Sequence, residues 1–231
     1  MSIQIAGLQK LTLLDYPGRV ACTVFFGGCN LRCPFCHNAS LVLPHGGMPG
    51  MSEEELLSFL KKRRGILDGV CITGGEPLLQ PELVRLLCEI RQLGFLCKLD
   101  TNGTMPHRLA PILEARAVDY VAMDIKSSPR GYAAAVGMDI DMDAIRQSVS
   151  LIKQSGIEHE FRTTVVAGLH TAADIEEAAR LIGDEPYFLQ SFVDSGDLIA
   201  GTGLSAYSPT EMMALRDAAR VYAPRCEVRG T

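Results

Sequence analysis

The stretch CTVFFGGCNLRCPFCHN, residues 22–38, decides how the rest of the chain is read. Cys22-Thr23-Val24-Phe25-Phe26 is a short β-branched and aromatic run ended by Gly27-Gly28, which reads as a strand entering a loop. The loop packs Cys29, Cys33 and Cys36 into eight positions and sets His37 directly after the last. A structural zinc site closes four ligands tetrahedrally and usually takes its pairs from separate segments. No second pair follows here, and His37 sits awkwardly for closing the same ion as Cys36. Three thiolates suit an iron–sulfur cube better, because each takes a different iron and the fourth iron keeps no protein ligand. Zinc and a redox-sensing thiol pair stay open as alternatives.

Outward from that strand the chain alternates. Ser52 with Glu55 forms a capping box for a helix over 53–64, whose acids lie first and bases last. Gly69 to Thr73 reads as a buried strand, Pro81 to Leu93 as a helix, and Phe95 to Leu99 as a strand ended by DTNG. A helix is expected over 106–115, a strand over 120–123 ended by Asp124, and a helix over 143–154. The strand Glu160 to Val166, a helix over 172–182 capped by Thr171, the strand Tyr187 to Val193 and a last helix opened by Ser208-Pro209-Thr210-Glu211 complete the pattern.

Six β-α units in a row imply an α/β fold with a parallel sheet wrapped by helices, either open or curled into part of a barrel. Ligands gather at the carboxyl ends of such strands. The segments there are Gly27-Gly28-Cys29, Gly74-Gly75-Glu76-Pro77, Asp100-Thr101-Asn102-Gly103, Asp124-Ile125-Lys126, Ala167-Gly168-Leu169-His170 and Asp194-Ser195-Gly196. One polar or glycine-rich ending is ordinary turn chemistry; six on one rim suggest a site.

At 231 residues and 47% hydrophobic content, the chain can bury a sizeable core as one domain. The formal charge of −5 and pI near 5.6 argue against a nucleic-acid binder. No apolar run approaches the ~20 residues of a membrane span. The first residues lack the basic start and apolar stretch of a signal peptide, so a cytoplasmic location is expected. Cysteines in that compartment are metal-binding, catalytic or buried rather than disulfide-bonded. Cys22, Cys71, Cys88, Cys97 and Cys226, scattered among aliphatic neighbours, read as small buried hydrophobes.

Cys29-x3-Cys33-x2-Cys36, with Phe35 in the aromatic position, resembles the signature of the radical S-adenosylmethionine superfamily. LTLLDYPGRVACTVFFGGCNLRCPFCHN is similar to the opening of its glycyl-radical-enzyme activases. Asp15-Tyr16-Pro17-Gly18 and the GLQKLTLLDYPG start most resemble the activating proteins of anaerobic ribonucleoside-triphosphate reductase. The resemblance runs from about residue 5 to 225. It implies a partial (β/α)6 barrel of the radical SAM type. One core domain would span 1–231: a short N-terminal β extension over 1–19, β/α units over 20–222 and a C-terminal tail over 223–231.

The same resemblance implies a 4Fe-4S cluster on Cys29, Cys33 and Cys36, with the methionine part of S-adenosylmethionine on the open iron. Gly74-Gly75-Glu76 matches the motif lying along the methionine amino group. Asp100, Thr101 and Asn102, and Asp124 with Lys126, match segments contacting the methionine and ribose parts. The aspartates would also favour a monovalent cation nearby. The bland reading is an ion pair of Lys126 with Asp100 or Asp124 on the rim. Arg162 resembles the fifth-strand arginine, for a carboxylate of the cofactor or for anchoring Asp124. Phe35 would pack on adenine with His37 and Asn38 close by. One departure stands out: activases of the pyruvate formate-lyase type carry a histidine near the end of the sixth strand, where this chain has Phe188-Leu189-Gln190-Ser191-Phe192. Gln190 would substitute there as a hydrogen-bonding side chain.

The implied chemistry gives one electron from the reduced cluster to the sulfonium of the cofactor. The carbon–sulfur bond breaks to methionine and a 5′-deoxyadenosyl radical, which takes a hydrogen from a glycine Cα of a partner glycyl radical enzyme. No residue is expected to act as a catalytic acid or base. A low-potential donor such as flavodoxin or ferredoxin is the expected electron source. The partner implied first is anaerobic ribonucleotide reductase, then pyruvate formate-lyase or another glycyl radical enzyme. A small-molecule radical enzyme related to the 7-carboxy-7-deazaguanine synthases and a non-enzymatic metal module remain as readings from other classes. Lys10, Arg19 and Arg32 against Asp15 alone form a candidate docking face, with an ordinary solvated edge as the simpler account.

Overall fold

A computed structural model describes residues 3–42, 50–194, 196–200 and 203–230. Strand β1 (Gln4–Thr12) pairs antiparallel with β2 (Ala21–Phe26), and α1 (Ala39–Val42) and β3 (Met51–Ser52) follow. The repeating part then runs α2 (Glu53–Lys61), β4 (Gly69–Gly74), α3 (Leu83–Gln92), β5 (Leu96–Thr101), α4 (Pro106–Glu114) and β6 (Tyr120–Asp124). It continues through α5 (Tyr132–Val136), α6 (Met142–Gln154), β7 (Glu158–Val165), α7 (Ala172–Ile182), β8 (Tyr187–Ser191), α8 (Pro209–Arg220) and β9 (Cys226–Arg229). All nine strands join one sheet in the order β3-β1-β2-β4-β5-β6-β7-β8-β9. From β2 to β9 every neighbouring pair is parallel. The expected partial (β/α)6 barrel with its N-terminal β extension is the architecture found.

Local chemistry places the elements. Ser52 and Glu55, Thr171 and Asp174, and Ser208 and Glu211 each close a reciprocal capping box at the start of a helix. Alternation sorts the strand side chains: Val70, Ile72, Cys97, Leu99, Val121, Met123, Phe161 and Leu189 are fully buried and join one apolar cluster with the helices. The opposite face of the same strands carries Thr73, Lys98, Asp100, Asp124, Glu160 and Arg162, so the inside of the curl is polar. Of the scattered cysteines, Cys22, Cys71, Cys97 and Cys226 are buried as expected and Cys88 is half-buried.

Besides small shifts at other element ends, four features differ from expectation for identifiable reasons. The second helix stops at Lys61, and Arg63 to Leu67 continue only as hydrogen-bonded turns toward Gly65 in the left-handed region. β5 extends through Thr101, so Asp100 and Thr101 belong to the strand, paired with Ala122 and Met123. Tyr132–Val136 forms a short helix in a stretch read as loop. Cys226–Arg229, within the expected C-terminal tail, is a seventh parallel strand. Its four residues include two charges and carry no periodic signal; its place is set by the Arg229 fork on Glu160 and by stacking of Arg229 over Phe188.

The basic residues weighed as a docking face lie on separate segments: Lys10 in β1, Arg19 in the turn before β2 and Arg32 in the loop after it. Arg32 is engaged with the carbonyls of Cys29 and Leu31, and Asp15 turns inward to accept a 2.5 Å hydrogen bond from Thr23.

Candidate functional site

A cavity of about 420 Å3 opens at the carboxyl ends of the parallel strands, within the ~300–1,000 Å3 range of small-molecule sites. Cys29, Cys33, Phe35, Cys36, His37 and Asn38 form one wall. Gly74 and Gly75 from β4, Asp100, Thr101 and Asn102 from β5, Asp124 and Lys126 from β6, Arg162 from β7 and Gln190 from β8 form the rest. Fifteen of the sixteen residues named from sequence thus meet around one space. Ser195, named in the turn after the sixth strand, lies outside the described residues.

Glu76 is the exception. It is fully buried, and its carboxylate accepts hydrogen bonds from Leu78 N–H at 3.0 Å, Asn102 N–H at 2.7 Å and the Thr101 hydroxyl at 2.9 Å. It holds the Asp100-Thr101-Asn102 segment from behind instead of facing the cavity. The two preceding glycines also have an internal reason. Gly75 N–H donates to Phe26 O at 2.8 Å and Glu76 N–H to Gly28 O at 2.9 Å. A Cβ on Gly75 would meet Gly28 O at 1.8 Å. Gly74 has φ +121°, and a Cβ there would sit 2.3 Å from Phe26 backbone atoms. The glycines therefore press the end of β4 against the start of the cysteine loop.

Opposite the cysteines lies a chain of charges. Arg162 Nε donates to Asp124 Oδ1 at 2.8 Å and its NH1 to Asp100 Oδ2 at 3.2 Å. Lys126 Nζ meets Asp124 Oδ2 at 3.0 Å, and the buried Lys98 is paired with Asp100 Oδ1. The ion pair weighed for Lys126 is thus present with Asp124, while its side chain still lines the cavity. Burial opposes ionisation of both aspartates, but Arg162, with Lys98 for Asp100 and Lys126 for Asp124, holds both below the usual carboxylate range. Burial likewise opposes charge on Lys126, yet Asp124 and Cys33 raise it above an ordinary lysine.

Burial raises the Cys29 thiol, and burial reinforced by Cys36 and Cys29 pushes Cys33 up to about 11 against the pull of Lys126. Metal binding would have to displace protons from both. Asn102 Nδ2 donates to Asn30 Oδ1 at 3.0 Å and lies 3.9 Å from Cys29 Sγ, tying β5 to the cysteine loop. His37 packs against Phe192 with ring centroids 5.7 Å apart, and burial, then Lys126, lowers its pKa. Phe35 is buried, its ring meeting that of His170 at 5.9 Å. His170 Nδ1 accepts from Val166 N–H, so Nε2 carries the proton and donates to Lys126 O at 2.7 Å.

Asp15, Leu31, Val42, Thr73 and Thr164 also line the cavity but were not singled out as site residues. Thr164 was findable, two positions from Arg162 on the same face of a strand. Lys98 was findable by the same step from Asp100. Asp15 reaches the cavity only because Tyr16, buried and 6.0 Å from the Tyr120 ring, seats its turn beneath the sheet.

Among the described residues, no three His, Cys, Asp or Glu side chains are gathered closely enough to hold one metal ion. Three free cysteines on one wall of one cavity suit a cube, whose irons each take one thiolate. The sequence pattern of the Radical SAM superfamily matches residues 23–182. The chain belongs to that superfamily. The family implies a 4Fe-4S cluster and S-adenosylmethionine, and the donor set present fits both.

Among curated proteins, MJ1227 of Methanocaldococcus jannaschii, whose name places it provisionally among glycyl-radical enzyme activating enzymes, is 32% identical over 201 residues. That match covers 83% of this radical SAM chain and 81% of the relative. The pyruvate formate-lyase-activating enzyme of Clostridium pasteurianum is 36% identical over 140 residues, 58% of this chain and 57% of that enzyme. These similarities put the chain with the radical SAM activating enzymes. In the solved structure of Streptococcus suis SuiB bound to the precursor peptide SuiA, 90% of this chain aligns with 48% of that one, at TM-score 0.68 and 14% identity. That likeness shows the fold alone. No described helix is long and apolar enough to cross a membrane.

Proposed function

We propose that this chain is a cytoplasmic, single-domain radical SAM activating enzyme whose substrate is a glycine of a partner glycyl radical enzyme. The cluster and S-adenosylmethionine, when bound, supply a one-electron cut of a carbon–sulfur bond and with it a hydrogen-abstracting radical. The residues supply binding, orientation and exclusion of water. Cys29, Cys33 and Cys36 hold three irons. Lys126, Arg162 and the Asp100-Thr101-Asn102 segment receive the amino-acid and ribose parts. Phe35, His37 and Asn38 flank the adenine. A monovalent cation, if taken up, would lie against Asp100 and Asp124, in competition with the cations already paired there. No proton shuttle is assigned, since a one-electron cut needs none.

The observation that carries the reading is the single cavity that gathers the cysteine triplet with the ends of five further parallel strands. Anaerobic ribonucleotide reductase is the partner we favour, over pyruvate formate-lyase. Gln190 lines the cavity where the pyruvate formate-lyase type would place a histidine, and the Asp15-Tyr16-Pro17-Gly18 turn is built into the barrel floor. A flavodoxin or ferredoxin would donate the electron.

The test begins with anaerobic reconstitution, reduction and electron paramagnetic resonance with and without S-adenosylmethionine. The reduced signal should change on adding it, with 5′-deoxyadenosine as product. Mixing with candidate glycyl radical enzymes should then place an organic radical on one of them. A zinc-loaded chain with no cluster would overturn the activase reading, and deoxyadenosine without any partner radical would point to a small-molecule substrate.

A further inference from the structure

His170 has no place among the cofactor contacts, yet both of its ring nitrogens are engaged. The side chain is fully buried in the turn that follows β7. Val166 N–H donates to Nδ1 at 3.0 Å, which leaves the proton on Nε2, and Nε2–H donates to Lys126 O at 2.7 Å. Both bonds need the neutral ring, and burial, the largest influence on it, lowers its pKa and keeps it neutral. The Phe35 ring meets the imidazole at 70° with centroids 5.9 Å apart, which braces it from the cysteine loop.

The two bonds serve different partners. The Val166 bond is local, four residues apart. Its turn is also closed by backbone bonds to Val166 O, from Leu169 N–H at 3.2 Å and His170 N–H at 3.0 Å. From outside, the Tyr207 hydroxyl donates to His170 O at 2.7 Å, and Ala167 N–H donates to Ser205 O at 2.9 Å. The turn is therefore held without the Lys126 bond. Lys126 is less well provided. It lies two positions beyond the end of β6 at Asp124. The backbone there is tied to β7 through Ile125, whose N–H donates to Arg162 O at 2.8 Å and whose O accepts from the Thr163 hydroxyl at 2.6 Å. One residue further on, the bond to Lys126 O comes from His170, 44 residues away in sequence. From that backbone the Lys126 side chain reaches the cavity, with Nζ 3.0 Å from Asp124 Oδ2.

We propose that His170 is a positioning residue for S-adenosylmethionine: its Nε2–H bond to Lys126 O sets the backbone from which the Lys126 ammonium meets the carboxylate of the cofactor. The proposal rests on reading this cavity as the S-adenosylmethionine site and Lys126 as one of its contacts. His170 touches no cofactor itself; it acts through Lys126. An ammonium held in place beforehand loses less freedom on binding, so the bond favours affinity rather than the chemical step.

The experiment separates the two bonds with His170→Asn and His170→Gln. Asparagine puts an amide oxygen near the place of Nδ1, within reach of Val166 N–H, but is too short for Lys126 O. Glutamine puts its amide N–H2 near the place of Nε2 and reaches Lys126 O, leaving Val166 N–H without its acceptor. After anaerobic reconstitution, iron and sulfide per chain should match wild type in both. The S-adenosylmethionine dissociation constant, read by equilibrium dialysis, should rise about three- to tenfold in His170→Asn, the net worth of one hydrogen bond, and stay within about twofold in His170→Gln. The cluster-free Gln variant should nevertheless melt lower than the Asn variant. Affinity that instead follows melting temperature marks a purely structural histidine and overturns the proposal. On a Lys126→Met background, His170→Asn should cost little further affinity, and a full additional loss also overturns it. Should His170→Asn not fold, 4-thiazolylalanine at position 170 decides. It keeps the ring and the acceptor nitrogen but has no N–H toward Lys126 O, so an unchanged dissociation constant overturns the proposal. A wild-type chain that binds no S-adenosylmethionine, or a Lys126→Met variant that binds it as tightly as wild type, overturns the underlying reading and this one with it.

Discussion

Glu76 occupies the third position of the Gly-Gly-Glu motif, and the charges around it show how one side chain can serve a site without facing it. Three donors converge on its carboxylate from Leu78, Thr101 and Asn102, yet burial still pushes its pKa from 4.5 up to about 7. The folded chain therefore keeps a proton on Glu76 that the unfolded chain releases between those values. Its contribution to stability accordingly falls as pH rises through that window. Glu76→Gln should flatten this slope in denaturant titrations run across pH 4.5 to 7. It should also cost about 1–3 kcal/mol, because the new amide N–H2 must face a backbone donor. Asp100 and Asp124 behave oppositely. Their pKa values are depressed from 3.8, so their stabilisation is present above that pH and is lost as the solution is acidified through the lower folded values. Arg162 is the cation common to both, and Arg162→Met should destabilise the apo-chain by about 3–5 kcal/mol, the range for stripping a buried ion network of one partner. Arg162→Lys should recover only part of that, since one ammonium cannot present the same fork to two carboxylates. Thermal or denaturant unfolding of the apo-chain measures both.

At the level of elements, the decisive contact is between the end of β4 and the loop after β2. Two backbone hydrogen bonds join them, and the missing Cβ of Gly75 makes room for Gly28 O. Gly75→Ala should therefore force the loop off the strand end and misplace Cys29. Iron bound per chain after reconstitution should fall severalfold, with a lower melting temperature for the apo-chain. Normal iron content would show that the loop tolerates displacement. The strands and capped helices were readable because their cues are local: capping boxes, β-branched runs and glycine stops. Helix α5 and strand β9 were not, since five and four residues are too few to carry a period. Each exists because of what it meets, α5 under the Arg32 backbone and β9 along β8.

For the whole molecule, seven parallel strands curl so that apolar side chains face the helices and charged ones face the lumen. The last strand closes the charge ledger of that lumen: Arg229 grips the buried Glu160 with bonds of 3.0 and 2.8 Å, beside Tyr120 at 3.0 Å. Truncation after Ala223 should leave Glu160 without that partner and expose the edge of β8. Light scattering and far-ultraviolet circular dichroism should then report aggregation and a lower unfolding temperature. An unaltered unfolding curve would show that β9 contributes nothing to the fold.

By itself the sequence determined the six β-α units and the cysteine triplet, and with them fifteen of the residues that line the cavity. These follow from signals within a few residues, and a parallel sheet then sends every strand end to the same rim. Tertiary structure decided what those residues face. It turned Glu76 inward and gave Asp100 to Lys98 and Asp124 to Lys126 with Arg162 between them. It also brought the end of α5 against the Arg32 backbone of the cysteine loop. Pairings of that kind join residues far apart in the chain. They depend on the curl of the sheet and on which groups share a buried volume, which no local pattern records.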